Sequence, residues 1–205
     1  MLYPVIQIAL GVVKLNPSSQ FFPLRFYVVE GLLRVSRATD TYIPLALTLL
    51  EPLDSALMKT PSAKKSAEKN VLKALELNVT LRVPTAYLSG PSSRVYRDQI
   101  AAHLISLLYQ FFDLYALNPA FPELVLPPVW NVKKWLKKHG GETSAKVRHG
   151  LQSLVEKLDE QAKWVEERRQ GIHFSAENLV AHVPIIGADE GPLRKAVKAR
   201  KIDTE

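Results

Sequence analysis

The placement of proline constrains this chain more than any other feature. There are 14 prolines against 9 glycines, and several stand at the head of apolar runs: Pro23 before LRFYVVEGLL, Pro44 before LALTLL, Pro122 before ELVL and Pro192 before LRKAV. A proline's fixed φ suits the first turn of a helix, where its missing N–H forfeits no bond, whereas a central strand rejects it. A composition led by Leu, Ala, Lys, Glu and Val agrees, so the chain is expected to be all-α. Interior prolines predict distortions: a kink at Pro52 in the helix opened by Pro44, and a bend at Pro127 and Pro128 in the helix opened by Pro122.

Spacing fills in the rest. Residues 3–15 are apolar nearly all round a helical wheel, which predicts burial against more than one neighbour. Their abrupt, uncapped start predicts a fragment of a longer protein, with Met1 supplied for expression. After the turn at Asn16-Pro17, a helix is expected from Phe22 to Ala38, with Glu30 and Arg34 one turn apart. Thr39-Asp40-Thr41 turns the chain, and the helix from Pro44 to Met58 should return antiparallel, making a helical hairpin. Residues 59–73 hold five lysines against one glutamate and read as a basic loop. In LELNVTLRVP, Leu75, Leu77, Val79 and Leu81 alternate with polar residues, which predicts an extended segment near 75–83 laid along helices, with an edge that needs cover. Ser92 and Ser93 are expected to cap a long helix to Leu117, with Tyr96, Ile100, Leu104, Leu107, Leu108, Phe111 and Leu114 on its apolar face. Val147, Leu151, Leu154, Leu158 and Val165 mark another over 144–170. A short apolar piece, LVAHVPII, and a basic helix from Pro192 close the chain.

Successive hairpins of this kind point to a helical-repeat solenoid of the HEAT or armadillo type. Its expected parts are hairpin repeats over 1–58, the basic loop over 59–73, the extended segment and long helices over 74–174, and the apolar piece with its basic tail over 175–205.

Composition excludes several function classes. With no cysteine, the chain has no disulfide, thiolate nucleophile or cysteine-ligated zinc. The opening MLYPVIQIALGVVKL lacks a basic leader and is too short to span a bilayer, so no membrane partner is expected. Asn78-Val79-Thr80 matches the glycosylation tripeptide by chance. His103, His139, His149, His173 and His182 show no ligand spacing, and neither a phosphate-cradling glycine loop nor a nucleophile elbow occurs. Catalytic, cofactor and metal sites are therefore expected to be absent, as is a small-molecule substrate. Lys plus Arg outnumber Asp plus Glu by 27 to 20, a net charge of +7, which suits an acidic partner such as nucleic acid.

Three groups of cations are candidate contacts. Lys133, Lys134, Lys137 and Lys138 flank Trp135 on adjacent helix stripes, placed to grip phosphates while the indole packs or stacks; a solvated helix end is the alternative. Arg194, Lys195, Lys198, Arg200 and Lys201 form a denser cluster, read as RNA contacts against a solubilising tail or nuclear address. Arg25, Arg34 and Arg37 either cap helix ends and pair with carboxylates inside the fold, or meet the acidic groups of a partner or of nucleic acid.

The segments YPVIQIALGVVKLNPSSQFFPLRFYVVEGLLRVSRATDTYIPLA, FPELVLPPVWNVKKWLKK and LVEKLDEQAKWVEERRQGIHF, in that order, resemble the conserved region of the nucleolar complex protein 2 family. The resemblance covers nearly the whole chain. It implies a non-enzymatic ribosome-assembly factor of the nucleolus and nucleoplasm. It also implies pairing with nucleolar complex protein 1 or 3 on large-subunit precursors and contact with precursor ribosomal RNA. The alternative is a stand-alone, sequence-independent RNA-binding helical module.

Overall fold

The strongest apolar period in the sequence becomes the centre of the molecule. The computed structural model describes residues 2–59, 71–77, 79–141, 143–170 and 191–202, with side chains as far as Ala199 in the last stretch. Helix α5 (Ser92–Tyr115) buries the expected stripe, with Leu114 only partly covered, and also Ala101, Ile105, Tyr109 and Phe112. A helix apolar on two sides must be covered on two sides. Accordingly α5 is packed by α2 (Phe22–Thr39), α3 (Ala46–Leu50), α4 (Ala56–Lys59), α7 (Ala145–Arg169) and α8 (Pro192–Ile202). The described regular elements are all helical, as the prolines predict. Consecutive helices also pair, α2 with the helix before it and α7 with the helix before it, while α2 and α8, far apart in the chain, both pack on α5.

The elbow after α2 is closed by α5. Asp40 ends α2 at φ 51°, its N–H bonded to the Ser36 carbonyl. Ser36 Oγ donates to the Thr41 carbonyl and lies 2.7 Å from the Tyr115 hydroxyl, which also accepts from the Ile43 N–H. Beyond it, the single helix expected from Pro44 to Met58 is three short pieces: α3, a 3₁₀ turn at Glu51–Asp54, and α4. Pro52 breaks the run rather than kinking it. With no N–H at Pro52, the Thr48 carbonyl loses its helical donor, and Arg25 Nη1 supplies a bond to that oxygen at 3.2 Å.

Helix α6 (Phe121–His139) runs through Pro127 and Pro128 in one element and folds back onto α7 across the short connection after His139. Ser144 caps α7 by accepting the Val147 N–H, and donates to Asp98 of α5 at 2.7 Å. Neither Ser92 nor Ser93 caps α5; Ser92 Oγ accepts the Leu72 N–H instead. That bond ties the end of the basic loop to α5, and the extended segment that follows forms no strand among the described residues. Gln99 holds the segment by bonding both the carbonyl and the N–H of Leu75, and Tyr87 donates to the carbonyl of Lys73 at the end of the basic loop. Leu75 and Leu77 pack on the core, whereas Val79 and Leu81 are exposed, so half of the expected alternating stripe is buried.

Helix α1 (Leu2–Leu15) departs most from expectation. Its main neighbour is α2, and Val13 is its only buried residue. Most of the basic loop, Asn78, His173, His182 and LVAHVPII lie outside the described residues.

Candidate functional site

Exposed side chains on α6 and α8 and two hollows stand out. On α6 the buried stripe is Phe121, Val125, Val129, Val132 and Trp135, and the Trp135 indole donates to the Leu53 carbonyl at 2.8 Å. Trp135, expected beside the lysines, is thus a bolt between α6 and the 3₁₀ turn. Trp130, which sequence reasoning passed over, is 61% exposed, with Lys134 Nζ 4.7 Å from its ring centroid. Helical arithmetic held the signal: five residues from both Val125 and Trp135, Trp130 falls well off the core stripe.

The four lysines of α6 diverge. Lys133 pairs with Asp159 of α7 at 2.8 Å, whereas Lys134, Lys137 and Lys138 are exposed without an ion pair among the described residues. In α8, Leu193 and Val197 are buried, Arg194 lies 3.7 Å from Asp113, and Lys195 and Lys198 are exposed. Arg200 and Lys201 lie outside the described side chains. Arg25 is 5% exposed and bonds Glu51 as well as Thr48, so its work is internal. Arg34 is exposed and paired with Glu30 at 2.7 Å, while Arg37 is exposed with no ion pair among the described residues.

A groove of about 420 Å³ opens between α6 and the Leu47–Lys59 stretch, with Leu50, Leu53 and Trp135 in its lining and Lys134 and Lys138 along its α6 wall. A second hollow, of about 270 Å³, is lined by Phe26, Tyr27, Leu77 and His103 beside the Glu30–Arg34 pair. There His103 stacks on Phe26 at 5.2 Å, and burial lowers its pKa from the ordinary 6.5 against the opposing pull of Glu30. Elsewhere, the hydrogen bond from Arg169 holds Glu123 below the usual carboxylate range, and burial raises Tyr96. These groups sit on different parts of the fold and do not converge on one cleft, the arrangement general acid–base catalysis needs. Among the described residues there is no cluster of three metal-ligating side chains, and no helix is long and apolar enough to cross a membrane.

Helices packed around α5 thus leave apolar and cationic side chains on open faces. The chain belongs to the Noc2p family, whose model matches residues 1–198. It is 38% identical over 175 residues to an uncharacterized NOC2 family protein of Schizosaccharomyces pombe, covering 85% of this chain and 23% of that one. It is 31% identical over 169 residues to nucleolar complex protein 2 of Drosophila melanogaster (82% and 21%). Against nucleolar complex-associated protein 2 of Arabidopsis thaliana it is 25% identical over 179 residues (87% and 22%). The chain therefore spans under a quarter of the length of these relatives.

Proposed function

We propose that the chain is a docking portion of a non-enzymatic ribosome-assembly factor. It pairs with nucleolar complex protein 1 or 3 on large-subunit precursors, in the nucleolus and then the nucleoplasm, while basic edges touch precursor ribosomal RNA. Its action is stoichiometric: it holds a maturing particle in one arrangement and is exchanged as the particle advances. The names of the relatives support the setting.

The observation that carries the docking reading is α1. Tyr3, Val5, Ile8 and Leu15 are 70%, 55%, 69% and 82% exposed on a helix with one charged residue, Lys14. Fully covering an exposed aliphatic or aromatic side chain gains about 1.5–3 kcal/mol, so these partly exposed four offer roughly 4–8 kcal/mol before association costs. In the longer protein, stacking of further helical repeats against this portion is part of the proposal. RNA contact is assigned to the outward cations Lys137, Lys195 and Lys198, with Arg34 and Arg37 as partner contacts.

The test is a pulldown from nuclear extract with the chain as bait, with and without ribonuclease. Retention of another nucleolar complex protein after digestion is the expected result, and Val5→Asp with Ile8→Asp should abolish it. Loss of every protein on digestion would instead favour the stand-alone RNA module, a reading motivated by Lys134, Lys137 and Lys138, which have no ion pair among the described residues. That module predicts affinity falling steeply with salt for any RNA.

A further inference from the structure

We propose that the groove between α6 and the Leu47–Lys59 stretch is a docking site for an acidic, helix-forming segment of another protein. This rests on the scaffold reading and adds to it one surface and one partner chemistry. Three observations converge on it. The first is shape: the hollow of about 420 Å³ has an apolar floor of Leu50, Leu53 and Trp135, and Leu47 at its edge is 57% exposed. It takes bulky apolar side chains from an occupant.

The second is the stripe that continues it. Leu126, Trp130, Lys134 and Lys138 recur every four residues along α6, with Leu126 65% and Trp130 61% exposed. This strip, about 18 Å long at the helical rise, is apolar at one end and cationic at the other. A helix laid along it matches the pattern with leucine-type anchors followed by glutamates or aspartates.

The third is charge, and it selects protein over nucleic acid. On the wall facing α6, Glu51 is engaged by Arg25, and Asp54 lies 3.2 Å from Lys59. Lys134 and Lys138 have no such partner among the described residues, so the α6 wall is the one with cationic capacity to spare. Yet the side chains of Glu51 and Asp54 remain 54% and 82% exposed. A phosphate chain in the groove would run against these carboxylates, whereas a peptide helix turns its acids to one wall and apolar or cationic side chains to the other.

The experiment measures anisotropy of labelled probes on the full chain. The probes are a designed helical peptide of about 18 residues with leucines at i, i+4 and i+7 among glutamates, the same peptide with lysines for glutamates, and a single-stranded oligouridylate. The acidic peptide should bind about tenfold more tightly than the basic one, and Lys134→Glu with Lys138→Glu should remove that preference. Trp130→Ala should weaken it about threefold or more, and Lys146→Glu on α7 should change nothing. Three results overturn the proposal: equal binding of both peptides, no binding of the acidic one, or insensitivity to the double reversal. Oligouridylate binding that is lost in the double reversal also overturns it, by assigning the groove to RNA. Because these probes include no nucleolar protein, their failure leaves the pulldown result standing, and a failed pulldown leaves theirs.

Discussion

Replacing Gln161 with methionine should release α8 from the body of the protein. Gln161 is 0% exposed, and its amide makes two bonds at once: Nε2 donates to the Ala116 carbonyl at 2.7 Å, and Oε1 accepts the Leu193 N–H at 3.0 Å. It therefore joins the end of α5, the middle of α7 and the start of α8. An apolar side chain of similar volume leaves both backbone groups buried without partners, at about 1–3 kcal/mol each, or roughly 2–6 kcal/mol if α8 stays in place. Against this, α8 holds on with two buried side chains, Leu193 and Val197, worth about 1.5–3 kcal/mol each before the entropy of ordering the helix is subtracted. Undocking is the less costly response. Hydrogen exchange should show residues 192–199 losing protection while α5 keeps its own, and the urea midpoint of the core should move little. Gly191→Ala provides an independent route, because a Cβ there would sit 2.4 Å from Gln161 Oε1 and 2.5 Å from Nε2, forcing the same amide out of register. If α8 exchanges at the native rate in both variants, the amide bridge does not hold it and the reasoning fails.

Three further outcomes are expected. Tyr115→Phe removes the hydroxyl that ties Ser36 and Ile43 at the elbow, and should lower unfolding stability by about 1 kcal/mol in urea titration; an unchanged midpoint would count against the clamp. Arg25→Ala should cost about 1–3 kcal/mol, from lost packing and the orphaned Thr48 carbonyl. Arg25→Met should cost less, because it keeps the packing and also removes the buried Nε that has no partner, so equal losses would argue against this account. For His103, burial keeps the folded imidazole below its ordinary pKa of 6.5, so the unfolded chain takes up the proton first. Stability is then fully present above that value and declines as pH falls through it, a slope that His103→Phe should flatten in urea titrations between about pH 7.5 and 5.

Individual elements separate what was legible in advance from what was not. The spacing from Tyr96 to Phe111 marked α5 correctly, but it gave no sign that α5 would be the spine, because a single helical period does not say how many neighbours share it. Pro52 announced a disturbance, but not that Arg25, distant in sequence, would bond the carbonyl that the proline frees. The lysines of α6 were visible as a cluster. Which of them Asp159 would occupy, and that Trp135 would turn inward while Trp130 faced out, followed from where α7 and the 3₁₀ turn came to lie.

By itself the sequence determined the helical class, most helix boundaries and the family. Each of these rests on local rules, in that proline fixes φ and apolar spacing reports a period, and on the order of short segments along the chain. The tertiary structure alone decided which apolar side chains are core and which are open, which cations are used internally, and where a groove forms. Those properties belong to pairs of residues that the chain brings together from far apart, and no period along one helix encodes its neighbour.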